Sequence, residues 1–341
     1  MVDGLDVSRG ECSEFDLIRR YFSGRGAARS DVAVGIGDDG AVLRVSPDSE
    51  LVISVDTLVS GIHFPPSTDA RSIGYKALAV NLSDMAAMAA EPAWATLALT
   101  VPQVDEGWLQ EFAVGFFDLA QRFNVQLVGG DLTRGPLAVT VQLHGFVPRG
   151  QALRRDAARS GDLIYVTGTL GDAALALQLL QHPEECPEEY EYLRARLDRP
   201  EPRVAEALHL RNVASAAIDV SDGLAADLGH ILEASGVGAV LYVDRLPRSR
   251  AFRSCAAAGA PCGDHSWDDL VLAGGDDYEL CFTVPAARIP AFTTHTRHNT
   301  CPYTCVGVIE TSPDLRCVTQ DGALWRPARR GYDHFQDRPP E

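Results

Sequence analysis

Short apolar runs bounded by turn residues alternate along this chain with longer stretches of helical period. Ser13 before Glu14, Phe15, Asp16, Leu17 and Ile18 supplies an N-cap, acids in a first turn and an apolar face, so a helix opens there and ends at Gly24 and Gly26. Residues 32–37 and 51–55 read as short buried strands. Residues 72–90 form an alanine-rich helix that stops before Pro92, 94–101 a strand, and Asp105 caps a helix running to about Phe123. A strand over 125–128 ends in Gly129-Gly130-Asp131, and another covers 137–147.

A basic stretch, 149–159, separates the halves. The second half restarts with a strand at 163–167, a turn at 168–171 (also readable as the start of a helix) and an apolar helix over 172–180. The acidic, proline-bearing run 182–191 reads as a solvated loop. Strands at 216–220 and 237–243 flank a helix from Asp222; strands follow at 278–284 and 303–309, and Asp321-Gly322 makes a hairpin turn. Strands and helices mix without strict βαβ alternation, which predicts two α/β or α+β domains, 1–150 and 151–341. A chain of 341 residues has the length for two.

Composition narrows the function. Hydrophobic residues at 46% and charged residues at 23% are the balance of a soluble globular protein. No apolar run approaches the roughly 18 residues of a membrane span. The amino terminus has no basic patch followed by an apolar run, so a cytoplasmic location is expected. The net charge of −17 argues against nucleic acid or an anionic membrane as partner. Of the 30 basic residues, 29 are Arg and one is Lys76, which lies outside any Gly-Lys-Ser/Thr sequence, so a P-loop is excluded. The motif set of a protein kinase is missing too. Metal ions and arginines must therefore handle any phosphate. Lys76 is not expected to anchor one; eight residues before Asp84, about two helical turns, it is placed to support that acid by an ion pair.

The eight cysteines form no Cys-x-x-Cys pair and read as reduced, mostly buried thiols. His295, His298, Cys301 and Cys305 have ligand-like identities at close spacing. Cys305 is read as a core position of its strand, and the histidines as a solvated helix end.

The informative pattern is the aspartates, in six clusters: Gly35-Ile36-Gly37-Asp38-Asp39, Ser54-Val55-Asp56-Thr57, Asn81-Leu82-Ser83-Asp84, Gly129-Gly130-Asp131, Asp219-Val220-Ser221-Asp222-Gly223 and Gly274-Gly275-Asp276-Asp277-Tyr278-Glu279. Any one aspartate can be a turn residue or helix cap. Asp84, mid-helix among Ala86, Ala87, Met88 and Ala89, caps nothing, and an isolated carboxylate there is costly unless paired. Glycines beside acids let backbone and carboxylate approach a ligand. An oxygen-only donor set with one lysine in the chain suits hard divalent cations, magnesium above zinc.

These clusters, together with Gly61-Ile62-His63-Phe64, the run from Lys76 to Asp84 and Gly331-Tyr332-Asp333-His334-Phe335, resemble the thiamine-monophosphate kinase family, of the aminoimidazole ribonucleotide synthetase-like ATP-binding superfamily. The matches run in order over nearly the whole chain. The resemblance implies a two-domain fold: an N-terminal α/β sheet domain that dimerises and a C-terminal α+β domain covering the site. It implies phosphorylation of thiamine monophosphate by ATP with several magnesium ions, in a homodimer. It maps metal contacts onto Asp39, Ser54, Val55 (through its carbonyl), Asp56, Asp84, Asp131, Asp219 and Asp222. ATP contacts map onto Gly130, Asp131, Arg155 and Ser221, and substrate contacts onto His63, Asp276 and Tyr332.

The chain departs from the family pattern at Asp276, where glutamate is common, and at Val55, where many members carry a hydroxyl. Arg155 is placed either to neutralise a phosphate or as part of a solvated basic linker, and Tyr332 either to face a thiazolium ring or to pack on the core. Rival readings are another ATPase of the superfamily, acting on a carbonyl or selenide, and a non-catalytic nucleotide or metal module. Cys12 lacks the glycine-rich loop of a selenophosphate synthetase, and the terminal Arg338-Pro339-Pro340-Glu341 lacks the cysteine of the hydrogenase-maturation enzyme. All six acidic clusters are present, against the non-catalytic reading.

Overall fold

The computed structural model describes residues 13–263, 265–325 and 331–332. Cys12, residues 333–335 of the C-terminal motif and the terminal 338–341 lie outside them. In the first half, α1 (Glu14–Tyr21) starts at Ser13 with a reciprocal Ser13–Asp16 capping box. It is followed by β1 (Val32–Val34), β2 (Val42–Leu43), β3 (Ser49–Val59), α2 (Ala70–Ala87), β4 (Glu91–Val101), α3 (Glu106–Arg122), β5 (Gln126–Arg134) and β6 (Ala138–Pro148). β1 and β2 pair with each other, and the other four strands form a sheet in the order β3-β6-β4-β5.

Two expectations change here. β5 does not stop before Gly129 but runs to Arg134, parallel to β4 with a register shift at Ala95/Thr96. Gly130 makes that passage possible: its φ is +152°, and a Cβ would lie 1.9 Å from the Leu97 carbonyl oxygen. β3 is eleven residues long and is not buried. Leu51, Ile53 and Val55 are 40%, 54% and 60% exposed, because nothing among the described residues covers that face of the edge strand.

The second half contains β7 (Leu163–Thr167), α4 (Asp172–Gln178), α5 (Tyr190–Asp198), α6 (Val204–Leu208), β8 (Ala216–Val220), α7 (Leu224–Ser235) and β9 (Gly238–Tyr242). It ends with α8 (Arg250–Ala258), α9 (Trp267–Ala273), β10 (Glu279–Val284), α10 (Ile289–Thr296), β11 (Tyr303–Glu310), β12 (Leu315–Val318) and β13 (Leu324–Trp325). The seven strands order as β13-β12-β9-β11-β7-β10-β8. α5, α6, α8 and α9 are additional to the expected elements, and α10 is the helix whose end carries His295; α5 takes over the last two residues of the expected acidic loop. Among the described residues no helix is long and apolar enough to cross a membrane.

One apolar core fills one side of the large sheet, with Ile218, Cys281 and Val306 against α4, α7, α8 and α9. The other side, through Leu280, Phe282 and Val284, joins a core continuous with α2, α3 and the small sheet. α2 is therefore enclosed between the two halves, with 15 of its 18 residues buried, as expected of a helix that is apolar nearly all round. Polar Lys76, Asn81 and Ser83 are buried with it.

α2 and α3 meet backbone to backbone. A Cβ on Gly74 would lie 2.1 Å from the Phe112 carbonyl oxygen, and one on Gly115 1.9 Å from that of Arg71. No side-chain rotation relieves either clash, so Gly74→Ala and Gly115→Ala must push the helices apart. Each is expected to lower stability by about 1–3 kcal/mol, read as a shifted urea midpoint; a midpoint equal to the wild-type one would refute this packing.

Candidate functional site

A cavity of about 400 Å³ opens where β3, α2, β8 and the loop before β10 meet. Asp56, His63, Asp84, Asp219, Ser221, Asp222, Asp276 and Tyr332 all line it. Strand pleating explains the N-terminal contribution. On β3, Ser54 and Asp56 point toward α2, in register with buried Leu143 and Val141 of β6. Asp84, on α2, accepts a short hydrogen bond from the Ser54 hydroxyl. One residue earlier, the Ser83 hydroxyl donates to Asp219 Oδ2 at 2.8 Å, tying α2 to β8 of the other half.

The C-terminal wall is set by buried acids, of which Asp277 and Glu279 belong to the sixth acidic cluster and Asp227 to none of the six. Asp227, buried on α7, accepts the backbone N–H groups of Ser221, Asp222 and Gly223, each at 3.1 Å. That fixes the turn presenting Ser221 and Asp222. The N–H of Asp276 donates to Ser221 O at 2.8 Å and that of Tyr332 to Asp222 O at 3.1 Å, so three segments are laced together. Beneath them Asp277 accepts the Gly171 N–H at 3.0 and 2.9 Å through its two oxygens. Glu279 accepts from Arg203 through both oxygens at 2.6 Å, and from Arg196 at 2.9 Å and Thr167 at 2.7 Å. Asp227 lies in the first turn of α7, where an acid commonly accepts the preceding N–H groups, and Glu279, an acid within a strand, carries the kind of signal that singled out Asp84.

The electrostatics separate the two groups of acids. Burial pushes the Asp56 carboxyl up to about 7, with the Asp84 charge adding to it. Burial also raises Asp84, against the opposing Ser54 hydrogen bond and the Arg155 charge. Burial and then the Asp84 charge hold Asp219 well above the usual range. By contrast, burial alone would raise Glu279, yet its Arg203 and Arg196 partners bring it below the ordinary value. Burial and crowding thus raise Asp56 and Asp219 in the cavity, whereas the supporting Glu279 is neutralised by its own arginines. His63 is held by its turn: Nδ1 accepts the Val59 N–H at 3.0 Å, which leaves the ring proton on Nε2.

The remaining candidate residues lie elsewhere. Val55 and Asp131 stand on the opposite face of the small sheet from Asp56; Asp131 is level with Ala98 on the far edge strand. Gly130, Asp131 and Asp39 are exposed, Asp39 in the loop after β1. Arg155 is exposed but close enough for its charge to act on Asp84. Lys76 pairs with Asp276 and not, as expected, with Asp84: Nζ lies 3.0 Å from Asp276 Oδ1. His295 and His298 are exposed at and just after the end of α10, Cys301 is buried, and Cys305 is half-buried in β11. The seven described cysteines are free thiols.

Asp56, Asp84, Asp219 and Asp222 present only oxygen donors on one cavity, and this fits hard divalent cations that keep part of their water shell. Among the described residues no three acids, histidines or cysteines close on a single metal position, so full coordination requires water or ligand oxygens as well.

Comparison with known proteins agrees with this arrangement. Residues 37–147 match the model of the AIR synthase related protein N-terminal domain and 159–318 that of the C-terminal domain. The chain is 48% identical over 326 residues to thiamine-monophosphate kinase of Salmonella typhimurium, covering 95% of this chain and 98% of that one. A crystal structure of thiamine-monophosphate kinase from Stenotrophomonas maltophilia superposes with a TM-score of 0.79 at 49% identity, over 85% of this chain and 92% of that one. AaThiL complexed with AMPPCP and TMP superposes with a TM-score of 0.74 at 30% identity, over 88% and 92%. With two AIR synthase related domains and full-length likeness to these enzymes, the chain belongs to the thiamine-monophosphate kinase family.

Proposed function

We propose that the chain transfers the γ-phosphoryl group of ATP to thiamine monophosphate, giving thiamine diphosphate and ADP. The observation that carries this reading is the meeting of Asp56, Asp84 and Asp219, from three elements of both halves, on one cavity whose far wall holds Asp276 and Tyr332. Relatives named for this activity over nearly the full length support it, as does a neighbour complexed with AMPPCP and TMP.

The acceptor is itself a phosphate with a second pKa of about 6, so its oxygen is largely ionised at neutral pH and the chain needs no general base. The difficulty is bringing two polyanions together in an acid-lined cavity. Magnesium, when bound, would supply positive charge that offsets the phosphates' repulsion. Asp56, Asp84, Asp219 and Asp222 would hold it, with Ser54 orienting Asp84. Ser221 faces the nucleotide side, Arg155 adds positive charge near Asp84, and His63, Asp276 and Tyr332 orient the acceptor, Tyr332 with a ring face for the thiazolium.

The resemblance gives metal and nucleotide contacts also to Asp39, the Val55 carbonyl, Gly130 and Asp131 on residues 1–150, which stand apart from the cavity lining; residues 151–341 complete the pocket. Exposed Leu51, Ile53 and Val55 on an edge strand support a homodimer through this face, since an uncovered apolar edge otherwise invites association without control. Free thiols throughout the described residues suit a cytoplasmic enzyme, and the acidic balance suits neither nucleic acid nor an anionic membrane as partner.

Three outcomes are expected. Chromatography of a mixture of protein, magnesium, ATP and thiamine monophosphate should show thiamine diphosphate, and Asp84→Asn should lower kcat by about 10²–10³, the scale of losing one preorganised electrostatic group; turnover within about threefold of wild type would remove Asp84 from this role. Light scattering should give twice 36.7 kDa, and Val55→Asp should shift the mass toward the monomer; a wild-type monomer at micromolar concentration refutes the dimer.

The third concerns pH. Unfolded aspartate ionises near 3.8 and folded Asp56 only at about 7. Between these values the folded chain binds more protons, so this group's contribution to stability declines as pH rises. In chelator, Asp56→Asn should therefore melt above wild type at about pH 8, with the gap closing toward about pH 4. Parallel melting curves across that range would contradict it.

A further inference from the structure

Lys76, the only lysine of the chain, is 2% exposed and sits behind the wall of the cavity, outside the set of residues that line it. Its ammonium makes two contacts, 3.0 Å to Asp276 Oδ1 and 3.2 Å to the His63 carbonyl oxygen. Those two residues do line the cavity. One belongs to the turn after β3 in the first half, the other to the loop before β10 in the second.

The loop needs such a tether. Asp276 and Tyr278 have φ of +67° and +49°, in the left-handed region that side chains other than Gly, Asn and Asp rarely adopt. No strand ladder sets the direction of the Asp276 side chain, since β10 begins only at Glu279. Lys76 holds one carboxylate oxygen, the Tyr278 side chain also hydrogen bonds this group, and Asp276 keeps 31% of its side chain open. An aspartate, about 1.5 Å shorter than glutamate, stays drawn back against the helix, while its left-handed backbone suits Asp better than Glu. An ammonium fits the role: it is a compact charge and α2 has no room around it.

We propose that Lys76 is a positioning residue for the thiamine monophosphate side of the pocket. It locks the Asp276 carboxylate to the His63 turn and acts through both, touching none of the groups assigned to ATP. This rests on the kinase reading above, and the test separates the two.

Lysine labelled with ¹⁵N at Nζ gives a single side-chain ammonium signal in this chain. Addition of thiamine monophosphate to the wild-type protein is expected to shift it, and Asp276→Asn to shift it in the free protein. Kinetically, Lys76→Met should raise the KM for thiamine monophosphate about tenfold, the scale of a misplaced contact, and leave the KM for ATP within about twofold. The double variant Lys76→Met/Asp276→Asn should be no more than about twofold worse than the poorer single one, since the residues act as a unit.

Equal rises in both KM values, additive losses in the double variant, or a wild-type ammonium signal unmoved by thiamine monophosphate would overturn the assignment. Should Lys76→Met not fold, the labelled wild type and Asp276→Asn still decide it. A wild-type chain forming no ADP in response to thiamine monophosphate overturns the kinase reading and this inference with it; wild-type turnover with an unmoved signal overturns the role of Lys76 alone.

Discussion

The enclosure of α2 between two sheets is the constraint on which the rest depends. A helix buried on nearly every side leaves its polar groups little water, and three of those on α2 find partners in the half they face. Asp84 is met by Ser54 of β3, Ser83 meets Asp219 of β8, and Lys76 meets Asp276 and the His63 carbonyl. The alanines and glycines of α2 follow from the same constraint, since only small residues let α3 and both sheets close on it. The cavity forms where this packing ends and the polar positions collect.

The site combines two opposite electrostatic arrangements. In the cavity, like charges are crowded and desolvated, so Asp56, Asp84 and Asp219 resist ionisation in the free chain. On the proposed reading, bound cations would relieve that cost, which would link ligand binding to stability. Behind the cavity, Glu279 is fully neutralised by Arg203 and Arg196, and Asp227 is satisfied by three backbone N–H groups. These contacts keep the loops that present the lining acids in place.

The two halves contribute differently. The small sheet supplies acids by pleating alone, every second residue of β3 facing the helix. The large sheet supplies them from turns at strand ends, which need hydrogen-bonded supports because their backbone is irregular. Asp276 falls in the second kind of structure, where Lys76 and a left-handed backbone define the position of the carboxylate.

The sequence by itself determined the element types around the site, the exclusion of P-loop chemistry by a single lysine, and the acidic clusters as the place of chemistry. Asp84 was legible because a mid-helix carboxylate among alanines has no local use. On β3 the sequence read as a buried strand over 51–55, and its facing was not legible: Ser54 and Asp56 point in with Val52 and Leu58, while Leu51, Ile53 and Val55 point out. Only the tertiary structure decided that, because facing is set by what packs on a sheet and not by its pattern. It also decided that Asp131 stands on the other face from Asp56, that β5 passes through Gly130, and that Lys76 turns to Asp276 rather than Asp84. Helical spacing places a lysine on a face; its partner comes from a segment 200 residues away, brought there by the burial of the helix between the two sheets.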